Sequence, residues 1–269
     1  TTSSGATEYM ITLIGHGYIG QAIWNRLQYG NYISAYWLNH NKSIPKDTTI
    51  IVNAAGYTGS PNVDACEIHK EDTISGNVLW PLKLEMENPN IPIIHISSGC
   101  VYTGYEKDFT EEDEPNFNFD NGSFYSGSKA LEQKLLAPYM NKSYLLRIRM
   151  PFGSEKHPKN FLTKLQTYAK LIDFRNSLSH VDDVANVVFH FIMKRPKTGI
   201  YNLTNGGSKT TREIVQMMNM KKDWFTESEF FSAVKAPRSN CVLDNSKLKN
   251  IFPIRDIDEA LKDAIENYK

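Results

Sequence analysis

Tyr125 and Lys129 lie four residues apart in the run Tyr125-Ser126-Gly127-Ser128-Lys129. On a helix that spacing puts both side chains on one face, and the apolar residues that follow at Leu131, Leu135 and Leu136 predict an amphipathic helix. A lysine ammonium beside a phenol favours the ionised phenol and can fix a cofactor ribose, so the tyrosine can hand a proton to a carbonyl oxygen while hydride reaches the carbon. The same spacing is common by chance. Its weight comes from Ser97-Ser98-Gly99-Cys100 upstream, where Ser98, at the end of an apolar run, adds a hydroxyl to the pair.

These groups need a frame. Residues 10–14 form a short apolar run that meets Gly15-His16-Gly17-Tyr18-Ile19-Gly20, and a helical pattern follows through Ala22, Ile23 and Leu27. Strand, glycine turn and helix in that order let a backbone approach a pyrophosphate at the helix N-terminus. A tight turn without a ligand is the competing reading. Further apolar runs at 33–38, 49–52, 93–96 and 144–148 suit parallel strands covered on both faces, and helices are predicted at 160–170, 181–194 and 211–218. The predicted fold class is α/β, a Rossmann-type doubly wound parallel sheet with a smaller C-terminal substrate lobe. Residues 9–150 form the dinucleotide-binding domain, to which 174–195 and part of the C-terminal region return. Residues 151–269 are mainly lobe, and 1–8 are read as a disordered leader.

Beyond the second predicted strand stands Asn39-His40-Asn41-Lys42, with no acidic residue to accept from a ribose 2′-hydroxyl. That points to NADPH, with His40 or Lys42 placed to meet a 2′-phosphate; solvated loop residues are the alternative. The 30 Lys+Arg balance 30 Asp+Glu, so no global field recruits nucleic acid or an anionic membrane. Three scattered cysteines, Cys66, Cys100 and Cys241, show no metal spacing and suggest a reducing compartment. No apolar stretch approaches the length of a membrane span, and a cytosolic protein without a metal is expected.

With Asn53-Ala54-Ala55-Gly56 after a strand and His180-Val181-Asp182-Asp183-Val184-Ala185 further on, the chain resembles the extended short-chain dehydrogenase/reductase family over about residues 9–255. Within it, the stretches at 53–70, 99–102, 111–117, 122–132, 147–153, 160–164, 198–205 and 236–240 resemble the 3,5-epimerase/4-reductases of UDP-rhamnose synthesis. That resemblance implies reduction at C4 of UDP-4-keto-6-deoxyglucose with NADPH after inversion at C3 and C5, and a homodimer. It assigns Ser98, Tyr125 and Lys129 to reduction, and Cys100 and Lys164 to inversion, with His157 a rival base. Cys100 as a small packing residue and Lys164 as a surface lysine are the plainer readings of those two.

For the cofactor, the resemblance implies contacts from Gly15, Gly17, Tyr18, Ile19 and Gly20, from Asn39 and His40, from Asn53 to Gly56, and from Met150 and Pro151. For the substrate, it implies Tyr57, Asn77, Gly99 and Asn160 beside Ser98 and Cys100, with Arg238 on the diphosphate. The family usually places another strand and helix before the run at 49–52, and only about ten residues are present there. Two alternatives stand: a dTDP-4-keto-rhamnose reductase without epimerase activity, and a non-catalytic relative like the regulatory subunit of methionine adenosyltransferase.

Overall fold

The structure is a computed structural model that describes residues 9–29, 33–40 and 42–269; the expected leader at 1–8 lies outside the described residues. Strand β1 (Tyr9–Ile14) leads through the glycine turn into α1 (Tyr18–Gln28), then β2 (Ile33–Leu38) and β3 (Ile50–Asn53). Helices α2 (Lys70–Ile74) and α3 (Trp80–Glu87) are joined by a π turn and precede β4 (Ile93–Ser98). Then come α4 (Phe124–Leu136), β5 (Tyr144–Ile148), the two-residue β6 (Pro151–Phe152), α5 (Phe161–Thr167), β7 (Lys170–Leu171), β8 (Arg175–Asn176) and β9 (Ser179–His180). The chain continues with α6 (Val181–Lys194) and β10 (Gly199–Asn202).

Six strands form one parallel sheet in the order β10-β5-β4-β3-β1-β2. The expected Rossmann-type sheet is therefore present. It carries one strand, β10, that the apolar runs did not reveal, because Gly199-Ile200-Tyr201-Asn202 is too short and too mixed to read as one. Strand β2 is the edge, and the chain returns from it to β3, on the far side of β1. Ile44 from that return packs against the cluster of Ile14, Ile51, Trp80, Leu84 and Ile93.

Alternation along the strands separates two buried layers. Ile11, Leu13, Val52, Ile94, Ile96 and Leu146 face α6 through Val184, Val188 and Phe191 in an apolar cluster. The opposite face, under α3 and α4, is buried yet polar: His95, Ser97 and Arg147 are all at most 2% exposed. Burying such groups is costly unless they are paired, and they are. His95 Nε2 lies 3.0 Å from Glu85, Ser97 donates to Glu132 at 2.6 Å, and Arg147 Nε donates to Gln133 at 3.0 Å.

A further cluster, from Phe152, Leu162, Leu165, Leu171 and Leu178 to Ile257 and Leu261, draws only on residues after β5. It includes Ile214 and Val215 of α7 (Thr211–Met217), and the chain goes on through α8 (Glu227–Ala233), α9 (Ser246–Lys249) and α10 (Ile257–Glu266). The expected helices at 181–194 and 211–218 match α6 and α7 to within a residue. Helix α5 stops at Thr167, before the predicted 170, because the chain turns extended at Tyr168 and enters β7. Among the described residues, no helix is long and apolar enough to cross a membrane, and no cluster of metal-ligating side chains occurs.

Candidate active site

The crossing from β2 to β3 makes a topological switch point between β1 and β3, where crevices open beyond the strand ends. The ends are level there: Ile14 pairs with Leu38 on one side and Asn53 on the other. Gly15 (φ +107°) lies so close to β3 that an added Cβ would meet the backbone of Ala54 and Ala55 at 2.7 Å, and one on Gly20 would meet Gly15 O at 2.1 Å. Gly15 and Gly20 thus serve packing. Nothing lies within 4 Å of a Cβ on Gly17, so its smallness leaves open space at the N-terminus of α1, whose cap Gly17 offers no side-chain acceptor. Free N–H groups facing open space suit a pyrophosphate. Gly15→Ala is expected to cost at least about 2 kcal/mol through strain and overlap, read as a lower midpoint in urea, whereas Gly17→Ala leaves that midpoint unchanged and weakens dinucleotide binding.

Tyr18 and Ile19 follow the turn. Ile19 packs on the main core. Tyr18 stacks on His157 at 4.5 Å, its hydroxyl is buried without a hydrogen-bond partner, and burial pushes its phenol well up. Asn39 and His40 are exposed, with the His40 ring edge-on to Trp80 at 6.3 Å. The Asn53 side chain turns inward, accepting from Trp80 Nε1 and from Ala55 N at 3.3 Å each. It thereby ties the turn of Ala54, Ala55 and Gly56 to the sheet.

Ser123 caps α4 by accepting from Ser126 N at 3.0 Å, which sets Tyr125 in the first turn and Lys129 one turn on. Tyr125 is 8% exposed. Burial drives its phenol well above the ordinary tyrosine range, Cys100 adds to this, and the nearby Ser98 hydroxyl opposes it. Ser98 sits on β4 level with Ile148 and accepts from Cys100 N at 3.0 Å. The Lys129 ammonium lies beneath Gly56, 3.8 Å from where a Cβ would stand. The predicted hydroxyl, phenol and amine lie on the end of β4 and the first turns of α4, with the amine under the Gly56 turn.

Asn77, in the π turn, is fully buried. It accepts from Tyr57 N at 2.7 Å and donates to Tyr57 O at 2.9 Å and Ser128 Oγ at 3.1 Å, so it fastens Tyr57 and the Gly56 turn to α4. Met150 holds a left-handed backbone (φ +38°) between β5 and Pro151, a strained conformation of the kind that collects at functional sites.

Cys100 is partly exposed, and Arg149 Nη1 donates toward its sulfur at 3.7 Å. Arg149 is itself buried and also donates to Gly99 O, Ser239 and Asn176. Lys164 lies on α5. Burial, reinforced by the charges of Lys159 and Arg238 and opposed by Cys100, brings its ammonium down to about 8. Burial also lowers His157, whose Nδ1 is occupied by accepting from Lys159 N at 3.0 Å.

Besides Asn77, two of the expected substrate contacts are engaged within the protein. Asn160 is fully buried, caps α5 by accepting from Leu162 N, and donates to Gly153 O and Glu155 O. Arg238 donates to Asp64 at 2.8 Å and to Ala236 O at 2.6 Å. Sequence reasoning did not single out Arg149, Glu132 or Ser97. A signal was available for the first: Arg149 follows Arg147 at the alternate position, one residue past the run where a buried strand was expected.

The chain matches the family model described as the RmlD substrate binding domain over residues 39–269. A bifunctional dTDP-4-dehydrorhamnose 3,5-epimerase/dTDP-4-dehydrorhamnose reductase of Arabidopsis thaliana is 40% identical over 228 residues, 78% of this chain and 74% of the relative. The crystal structure of a UDP-rhamnose synthase from Acanthamoeba polyphaga mimivirus superposes with a TM-score of 0.86 at 26% identity, covering 96% of this chain and 99% of that one. A dTDP-4-dehydrorhamnose reductase from Bacillus anthracis, solved in complex with NADP, shares the fold with a TM-score of 0.75 at 17% identity over 96% and 98% of the two chains. The chain belongs to the RmlD substrate-binding family of extended short-chain dehydrogenases/reductases.

Proposed function

We propose that this chain is an NADPH-dependent 4-reductase of a nucleotide-linked 4-keto-6-deoxy sugar that also inverts C3 and C5, taking UDP-4-keto-6-deoxy-D-glucose to UDP-L-rhamnose. The observation that carries the reductase reading is the buried Tyr125 phenol near Ser98, with the Lys129 ammonium on the same helix under Gly56. The open space at Gly17 and the uncapped start of α1 fit the pyrophosphate of the cofactor.

When bound, NADPH supplies the hydride for C4. The chain's own part is to hold the ketone oxygen between Ser98 and Tyr125, deliver the phenol proton to that oxygen, and keep water out through burial. The ketone acidifies the hydrogens on both flanking carbons. Cys100, one residue beyond Gly99 at the end of β4, and Lys164 on α5 interact electrostatically, and they form the acid/base pair for inversion. The bifunctional Arabidopsis relative and the viral UDP-rhamnose synthase support this reading. So does the presence of Cys100 and Lys164, which a reductase alone does not need. A homodimer through helices is part of the same reading, supported by Leu79 and Met86 beside α4, which are 57% and 64% exposed.

The test incubates the protein with UDP-4-keto-6-deoxyglucose and NADPH in deuterated water. Loss of NADPH absorbance together with deuterium at C3 and C5 is the expected result. NADPH loss without deuterium leaves a reductase alone, and neither change would end the reading. The dTDP-linked sugar in parallel shows which nucleotide the site prefers.

A further inference from the structure

Lys129 has a partner that the proposed chemistry does not use. Its Nζ lies 3.2 Å from Glu132 Oε1 and 3.1 Å from Oε2, and the two side chains are only 5% and 2% exposed. Glu132 Oε2 accepts the Ser97 hydroxyl at 2.6 Å. Next along α4, Gln133 donates to Ser97 Oγ at 3.3 Å and to Ser98 O at 2.9 Å, and its Oε1 accepts from Arg147. The carboxylate therefore links the helix that carries Tyr125 and Lys129 to the strand that carries Ser98.

We propose that Glu132 is a positioning residue: it anchors the Lys129 ammonium under the Gly56 turn and, by offsetting that ammonium's charge toward Tyr125, sets the pH above which Tyr125 can no longer donate a proton. The proposal rests on the reading of Tyr125 as the proton donor. Two opposite charges this close interact strongly even at the effective dielectric of a protein interior, so the field of the pair at the phenol is far weaker than that of a lone ammonium. The other titratable groups facing Tyr125 are Cys100 beyond β4, Cys66 from the turn after β3, and Arg149 beyond β5. Burial dominates the upward displacement of the phenol, and Glu132 adds to it.

Removing the carboxylate charge leaves the Lys129 ammonium unopposed beside Tyr125, which favours the ionised phenol. The experiment is a tyrosinate absorbance titration of the cofactor-free protein, with Tyr125→Phe subtracted to isolate this phenol, followed by the pH profile of reduction. Glu132→Gln is expected to bring the Tyr125 ionisation, and the alkaline limit of reduction, down by roughly one to three pH units. Glu132→Asp keeps the charge on a shorter arm and is expected to retain the wild-type limit with a lower kcat. A Glu132→Gln protein whose titration and alkaline limit coincide with wild type overturns the proposal. If that variant does not fold, a shifted limit in Glu132→Asp overturns it instead. The titration needs no substrate, so its failure is distinct from failure of the reductase reading.

Discussion

Tyr125→Phe is expected to lower kcat for NADPH-dependent reduction by about 10²–10⁴-fold while deuterium continues to enter C3 and C5. The phenol is the only part removed. Phenylalanine keeps the ring that stands in the first turn of α4, so the packing that leaves Tyr125 8% exposed persists, and Ser98 still offers its hydroxyl to the ketone oxygen. Hydride arrival at C4 then places charge on an oxygen that has lost the phenol proton and keeps only the Ser98 hydroxyl, in a site whose burial makes charge costly. In the proposed inversion, exchange at the flanking carbons draws on Cys100 and Lys164, so it should survive. NADPH affinity should also survive, because Lys129 keeps its place beneath Gly56. Stopped-flow reduction, NADPH fluorescence titration and mass spectrometry of the sugar separate the three. Wild-type reduction in this variant would remove Tyr125 from the mechanism, and loss of exchange along with reduction would tie both steps to one proton path.

The parts of this site that were legible in the sequence are those fixed by local rules. The glycine turn announces itself because φ +107° at Gly15 and the contact of Gly20 with Gly15 O admit no side chain. Tyr125 and Lys129 share a face because a helix repeats every 3.6 residues. The parts that were not legible depend on which distant partner takes a polar group. Arg238 carries the same charge whether it meets a diphosphate or Asp64, which lies 174 residues away in sequence. Glu132 reads as an ordinary helix-surface carboxylate until β4 brings Ser97 to it. Asn160 is an intermediate case: an asparagine opening a helix is a cap by local rule, and its remaining amide protons are taken by Gly153 O and Glu155 O.

The short return from β2 to β3 shows how a departure visible in sequence reshapes structure. Lacking the extra strand and helix, the sheet ends at β2, and Trp37 on that edge donates to Gly15 O at 2.8 Å while stacking on Trp24 at 4.9 Å. On the other side of β1, Trp80 is 5% exposed, packs with Ile44, and reaches Asn53. Tryptophans thus brace both flanks of the glycine turn. These contacts support the turn, so the strand-turn-helix stays intact beside the short return.

Lys164→Met is expected to lower deuterium incorporation at C3 and C5 by about 10²–10⁴-fold and to abolish its pH dependence near 8, while reduction of a sugar already in the L-configuration proceeds. The ammonium of Lys164 is brought down to about 8 by burial first, then by the repulsion of Lys159 and Arg238. Below that pH the side chain carries the proton that the proposed inversion has it deliver. As pH rises through 8 the proton is lost, so wild-type exchange should hold level on the acid side and fall on the alkaline side. Methionine keeps the length and apolar stem of lysine, so packing on α5 is preserved and the lost element is the proton. Lys164→Arg sharpens the test: its guanidinium stays protonated far above 8, retaining charge but holding its proton too tightly to deliver it. Exchange should fall in both variants, and a Lys164→Arg protein with wild-type exchange would show that Lys164 acts by charge alone. Cys100→Ala completes the partition. It removes the other member of the pair and should stop exchange at both carbons, with Tyr125, Ser98 and the C4 reduction left in place; unchanged exchange there would take Cys100 out of the inversion.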